Sequence, residues 1–223
     1  MKITSAMKMV SAAKLKKAQD AITAMRPYSD KLSELLQNLS GTLDADTGGV
    51  YAQQRSVSKV LLVVVTSNRG LCGGFNSSVI KQTRANIANN YQGQQVKLLT
   101  IGKKGNDILR KEYTVVDNQS AVFDELNFEN VAEIAEKLMQ LFADGTYDKI
   151  EIVYNSFKNA ATQIVKVEQF LPIKPADNTA AVSLDYIFEP AQEEIVSALI
   201  PKSLKTQLFK ALRDSFASEH GAR

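Results

Sequence analysis

Apolar residues recur at helical spacing near both ends of the chain, whereas the middle carries the pattern of buried strands. Within residues 1–40 they follow one another mostly in alternating steps of four and three, among them Ile3, Met7, Val10, Ala18, Ile22, Met25, Tyr28, Leu32, Leu35 and Leu39. This spacing is typical of a coiled-coil seam or of a stripe that faces a core. An unbroken helix of this length would reach about 60 Å, so we expect a partner along it.

A second helical repeat supplies that partner after Pro190, through Leu199, Leu204, Leu208, Leu212 and Phe216. Two prolines inside the repeats predict irregularities: a bend near Pro27, and either a kink or the true helix start at Pro201. The first repeat begins without a capping residue and the last ends without a stop signal, so we expect a fragment of a longer two-helix rod.

The middle of the chain alternates strand and helix patterns. Val60–Val65 is an unbroken apolar run, as in a strand that helices cover on both faces. Further strands are predicted at 96–101 and 150–154, and helices at 77–91, 107–111 and 127–142. This alternation favours α/β, a Rossmann-like parallel-sheet domain flanked by N- and C-terminal long helices that form an antiparallel coiled coil. The alternating segment Ile164–Phe170 predicts an added strand that pairs with the preceding one.

These patterns divide the chain into four parts. We expect an N-terminal long helix at 1–40, a polar, flexible linker at 41–54, the α/β domain at 55–189 and a C-terminal long helix at 190–223.

Composition narrows the class of protein. The chain has 223 residues, of which 44% are apolar and 23% charged, and a single cysteine; this is a globular composition that fits a reducing compartment. The longest apolar run is far shorter than the ~20 residues of a membrane span. The net charge is only +3, but residues 1–40 carry seven basic and three acidic side chains. Their excess charge indicates either a solvated helix face or an acidic partner. Nucleic acid is disfavoured because arginine is scarce and no zinc or zipper pattern is present.

A glycine-rich turn follows the first predicted strand and leads into a helix. That layout can hold a phosphate, but the glycines do not fit G-x-G-x-x-G and no Walker lysine follows. We therefore interpret it as a structural turn, in which the glycines allow a tight bend of the backbone and close packing of the helix. The residues of this turn are Arg69, Gly70, Cys72, Gly73 and Gly74. Cys72 is interpreted as a small packing residue.

Catalytic constellations are not found in the sequence. The sole histidine, His220, has no Asp, Ser or Cys at a spacing that suggests a triad or a metal site, and we expect it to face solvent. The adjacent acidic pairs point apart on a strand or helix. The residues therefore predict no catalytic, cofactor-binding or metal site, and no direct small-molecule ligand.

Two segments together resemble a known family. Ile3–Leu15 and Arg69–Asn76 are similar to the two best-known stretches of the F1 γ subunits of ATP synthase, and Ser215–His220 is similar to a third. The order of helix, α/β domain and helix agrees over the whole chain. Asn68 and Gly221 depart from the usual family residues, which are Asp and Ala. The family's C-terminal signature is missing, so we expect a γ subunit truncated at both ends.

The resemblance implies a non-catalytic rotor subunit, which couples proton-driven rotation of the membrane c ring to ATP synthesis or hydrolysis in an α3β3 ring. It implies contacts with β at Met7, Lys8, Met9, Lys14, Lys17, Gln207, Lys210 and Ser218. It implies contacts with the c ring and the ε subunit at Tyr186, Ile187, Phe188 and Glu189. The thiol-switched chloroplast form would carry a second cysteine and a long insertion, and this sequence has neither. We therefore expect a bacterial protein, peripheral on the cytoplasmic side of the inner membrane.

Two alternatives remain from the residues. One is a nucleotide-binding α/β enzyme with coiled-coil arms, which the missing phosphate-loop lysine disfavours. The other is a coiled-coil adaptor unrelated to ATP synthase.

Overall fold

The computed structural model describes residues 2–40, 49–174 and 192–223. The first and last elements along the chain are the long helices α1 (Lys2–Ser40) and α6 (Gln192–Ala222). Between them lie, in chain order, α2 (Gly49–Ala52), β1 (Lys59–Val65), α3 (Phe75–Asn90), β2 (Gln95–Ile101), α4 (Lys103–Leu109), β3 (Val115–Asn118), a 3-10 helix (Ser120–Phe123), α5 (Phe128–Ala143), β4 (Lys149–Asn159) and β5 (Thr162–Leu171).

One five-stranded sheet forms the middle of the molecule, in the order β3-β2-β1-β4-β5. Strands β1 to β4 run parallel, and β5 pairs antiparallel with β4. The α/β prediction and the added strand after β4 are therefore confirmed. The short edge strand β3 was not predicted, because its four residues VVDN give too few positions for a pattern to stand out.

Strand β1 is buried on both faces, as its apolar run predicts. Leu61, Val63 and Val65 pack in the core that α5 and α6 share, while Val60, Leu62 and Val64 pack against α3. Burial of β-branched side chains on both faces is what makes a parallel strand stable between helical layers.

Helices α1 and α6 form an antiparallel pair. As the residue numbers increase along α1, those of the residues it contacts on α6 decrease. Arg26 contacts Asp214, and Asp30 contacts Lys210. Both helices continue through their internal prolines, Pro27 and Pro201. The alternative in which α6 starts at Pro201 is therefore wrong; α6 already begins at Gln192.

Helix α6 is the more deeply packed of the two long helices. It contacts α1 on one side and β4 and α5 on the other, and Leu204, Leu208 and Leu212 are almost completely buried. Among the described side chains of α1, the buried apolar ones begin at Ala18 and continue through Ile22, Leu32 and Leu36, and Leu15 is partly buried against the same cluster as Ala18. The described side chains before Leu15 are mostly exposed.

Candidate partner-binding surface

The basic residues predicted on α1 all lie at the surface. Lys8, Met9, Lys14 and Lys17 are exposed, and Met9 keeps 67% of its accessible area. The side chain of Met7 lies outside the described residues. Within the part of α1 that the structure describes, no ion pair engages these three lysines, so their charges face solvent.

The three residues predicted on α6 have partners inside the chain. The Gln207 amide donates to Glu168 Oε1 at 2.8 Å and to the Gln169 carbonyl at 3.1 Å. Lys210 Nζ pairs with Asp30 at 2.7 Å. Ser218 is buried, and its hydroxyl donates to the Asn155 carbonyl at 3.2 Å. Their contact with β stays a prediction, as does the c-ring and ε segment Tyr186–Glu189, which lies outside the described residues.

The glycine-rich turn places one leucine at the surface and the cysteine inside. Leu71 adopts a positive φ of 61° and is 89% exposed, and Gly73 has φ 53°. An added Cβ on Gly73 would meet nothing within 4 Å, so the backbone conformation, and not close packing, requires glycine there. Cys72 is buried and accepts a hydrogen bond from the Asn76 amide at 3.2 Å.

Two asparagines that sequence reasoning missed brace this turn. The Asn76 side-chain oxygen accepts from the Ser67 backbone N–H at 2.9 Å. The Asn68 amide donates to the Ser120 carbonyl at 2.9 Å, while its oxygen accepts from the Lys103 N–H at 3.1 Å. The signal in the sequence is a pair of Asx residues that flank the glycine-rich turn, Asn68 before it and Asn76 at the start of α3, because such side chains commonly satisfy free backbone groups in turns.

The crevice where parallel sheets usually bind ligands is filled by α6. In such folds the ligand site lies outside the carboxyl ends of the strands where the strand order reverses, here between β1 and β4. At that edge Ser218 bonds to Asn155 of β4, and Arg223 Nη1 donates to the Gly70 carbonyl at 3.0 Å. Helix packing therefore takes the place that a nucleotide occupies in related architectures.

A cavity of about 740 Å³ remains beside this crevice, between the start of α1, the glycine-rich turn and the end of α6. Its lining includes Lys8, Leu15, Leu71, His220 and Arg223. The lining combines the apolar side chains of Ala12, Leu15 and Leu71 with the basic side chains of Lys8 and Arg223.

His220 is buried here, so the expectation that it faces solvent is wrong. Its ring meets Phe216 edge-on, with centroids 4.6 Å apart, and neither ring nitrogen has a hydrogen-bond partner. Burial lowers the pKa of the imidazole, and Lys14 and Arg223 lower it further, against an opposing effect of Glu219. The imidazole is therefore neutral at pH 7.

No helix in the described part of the chain is long and apolar enough to cross a membrane. Over the same ranges, no group of three or more His, Cys, Asp or Glu side chains is placed to hold a metal ion.

Comparison with known proteins now identifies the family. The sequence profile described as ATP synthase matches residues 1–223, and the chain belongs to that family. Among curated relatives, the ATP synthase gamma chains of Flavobacterium psychrophilum and Christiangramia forsetii are 66% and 61% identical, and each match covers 100% of this chain and 78% of the relative. The predicted resemblance to γ subunits is therefore confirmed.

The solved structures agree with this assignment. The central stalk and c-ring structure of Tetrahymena thermophila mitochondrial ATP synthase contains a chain that matches with a TM-score of 0.70 and 25% identity, over 99% of this chain and 95% of that one. A rotor chain of Euglena gracilis mitochondrial ATP synthase has a TM-score of 0.53 at 16% identity, which supports the fold alone.

Proposed function

We propose that this chain is the non-catalytic central-stalk rotor of the F1 sector of a bacterial ATP synthase. The observation that carries the proposal is the antiparallel pair α1–α6, packed on a parallel-sheet domain, together with its similarity to a central-stalk chain. A long helical pair anchored on a broad α/β domain suits a part that turns as one body. The nucleotide chemistry belongs to the ring, since α6 fills the ligand crevice of this sheet.

The coupling follows from asymmetry. The rotor carries different residues on its different sides, so at any one angle it presents a different surface to each subunit of the ring. Each surface favours one conformation of the subunit that it faces, and the angle of the rotor therefore shifts the conformational equilibria of the ring. Linkage requires the reverse effect: nucleotide exchange in the ring must bias the angle of the shaft. Proton-driven rotation of a c ring would then drive ATP synthesis, and hydrolysis would drive the reverse rotation.

The partners we propose are the α and β subunits around the rod, and the c ring and ε subunit at the α/β domain. The exposed lysines of α1 fit acidic loops of β, because Lys8, Lys14 and Lys17 lack partners within the described chain. Leu71, which projects from the turn beside Lys8, adds an apolar contact to the same end. We place the protein at the inner membrane on the cytoplasmic side, held there by the c ring.

The test is reconstitution. The chain is mixed with α and β subunits of the same organism, the complex is isolated by size exclusion, and ATP hydrolysis is compared with that of α and β alone. Co-elution with strong stimulation is the expected result. Absence of both a complex and stimulation would overturn the proposal and favour an adaptor unrelated to ATP synthase.

A further inference from the structure

We propose that Arg26 and Asp214 are positioning residues that fix the two-helix rod to the sheet, and that turning force passes between the rod and the α/β domain through them. The second half of this inference rests on the proposed function as a rotor; the first half does not.

The two residues join three elements at one point. Arg26 Nη2, on α1, donates to Asp214 Oδ1 on α6 and to the Phe157 carbonyl of β4, both at 2.5 Å. The Phe157 N–H in turn donates to the same Asp214 oxygen at 3.1 Å. Each helix is thereby bonded to the other and to the backbone of the sheet.

The place of Phe157 in the sheet makes this joint mechanically distinct. Strand β4 pairs with β1 only as far as Val153 and then continues to Asn159, paired with β5 alone. Phe157 lies in that extension, which projects beyond the central strands toward the rod. A force on either helix therefore reaches the sheet through the backbone of β4 and does not depend on a flexible loop.

Because Asp214 is buried, Arg26 and Asp214 depend on each other. Asp214 is 1% exposed, and burial raises the pKa of its carboxyl while the bonds from Arg26 and Phe157 oppose the shift. A buried carboxylate without its partners is strongly unfavourable, so the two residues hold each other in one geometry. The planar guanidinium adds direction, which a lysine would not supply equally.

The neighbouring contacts differ from this joint. Ser218 donates to the Asn155 carbonyl of β4 and Gln207 to the Gln169 carbonyl of β5, but these bonds hold α6 alone and do not reach α1. Ile22, Phe157 and Ala217 form an apolar cluster around the joint, but apolar contact is non-directional and permits sliding. The pair Asp30–Lys210 joins the two helices to each other and does not reach the sheet. Directional hydrogen bonds between the rod and β4 are what resist rotation about the rod axis.

The first test measures fixation in the isolated chain. Spin labels are attached through non-natural keto residues at the exposed positions Gln19 of α1 and Lys81 of α3, which leaves Cys72 unchanged, and their distance distribution is measured by pulsed EPR. We expect Arg26→Gln to broaden the distribution at least about two-fold, Arg26→Lys to restore it in part, and Asp30→Asn to leave it unchanged. A distribution of unaltered width in both Arg26 variants would overturn the proposal.

The second test measures force transfer in the complex with α and β. The torsional stiffness of the rotor is obtained from the angular fluctuation of a particle attached to the α/β domain while the ring is immobilised. We expect Arg26→Lys to lower the stiffness at least about two-fold relative to Asp30→Asn, at an equal yield of complex. Equal stiffness would reject the role in force transfer even where the EPR distribution broadens. Failure of the unaltered chain to form a complex would count against the rotor function alone, because the EPR result decides the joint by itself.

Discussion

At the scale of single residues, His220 makes folding depend on pH. Burial depresses the pKa of its imidazole, so the folded state binds fewer protons than the unfolded state. Its contribution to stability is therefore complete above the unfolded pKa of about 6.5 and is lost as the pH falls through the lower folded value. We expect urea unfolding to show a smaller loss of stability between pH 7 and pH 5 in His220→Leu than in the unaltered chain. Identical losses would show that folding does not lower the pKa of the imidazole.

Two glycines with positive φ differ in what surrounds them, which gives a second prediction. A Cβ on Gly102, at φ 119°, would lie 2.2 Å from the Thr66 carbonyl oxygen, whereas Gly73 has open space. We expect Gly73→Ala to cost about 1–2 kcal/mol from backbone strain alone, and Gly102→Ala on the order of 3 kcal/mol or more, since overpacking adds to the strain. Thermal and urea unfolding of the two variants measure this. A cost for Gly73→Ala as large as that for Gly102→Ala would contradict the assignment of strain without contact.

At the scale of elements, the stability of the α1–α6 pair depends on the second half of α1. Ile22 is completely buried against Phe157 and Ala217, while Val10 is 57% exposed. We expect Ile22→Ala to lower the free energy of unfolding by about 2–5 kcal/mol, as truncation of a buried aliphatic side chain does, and the matched change Val10→Ala to alter it by less than about 0.5 kcal/mol. Equal effects in urea titrations would mean that α1 is not docked as described.

The helices and strands also show how much of the fold can be predicted from the sequence. The strand β1 and the amphipathic α5 were predictable because their burial repeats over several positions. The start of α4 was missed by four residues: it begins at Lys103, and its first turn, which contains Gly105, lacks the apolar repeat that predicts a helix. Gly105 is required there because an added Cβ would lie 2.8 Å from the Thr66 side chain, and that contact spans a distance in sequence that no local pattern records.

The residues of the candidate surface also fall into two groups, those whose exposure could be predicted from the sequence and those whose burial could not. The exposure of Lys8 and Lys14 follows from a charged face opposite an apolar stripe. The interior positions of Ser218 and His220 do not follow, because they depend on α6 entering the crevice between β1 and β4. Along its last turns α6 is buried over most of its circumference, and only the narrow face of Arg213, Phe216 and Glu219 is partly exposed. Such a helix has no wide polar face from which its neighbours could be predicted.

At the scale of the whole molecule, charge is distributed unevenly along the chain. The excess of positive charge is concentrated in the first helix, where Lys8, Lys14 and Lys17 are exposed. A cationic end at low ionic strength speeds encounter with an acidic partner and fixes its orientation. The effect decays over a Debye length of about 8 Å at physiological ionic strength, so only a partner that comes close to α1 can sense it.

Under the proposed function, this distribution predicts how association with the ring of α and β subunits responds to charge reversal. We expect Lys8→Glu, Lys14→Glu and Lys17→Glu together to reduce association with the α–β ring at least about ten-fold at low salt, because attraction becomes repulsion, and the deficit to shrink as salt screens both. The matched control is Lys103→Glu, Lys111→Glu and Lys158→Glu, which changes the net charge equally but lies on the α/β domain. Equal losses in the two triple variants would attribute the effect to net charge, while full coupling of hydrolysis in the α1 variant would show that these lysines only solvate their helix.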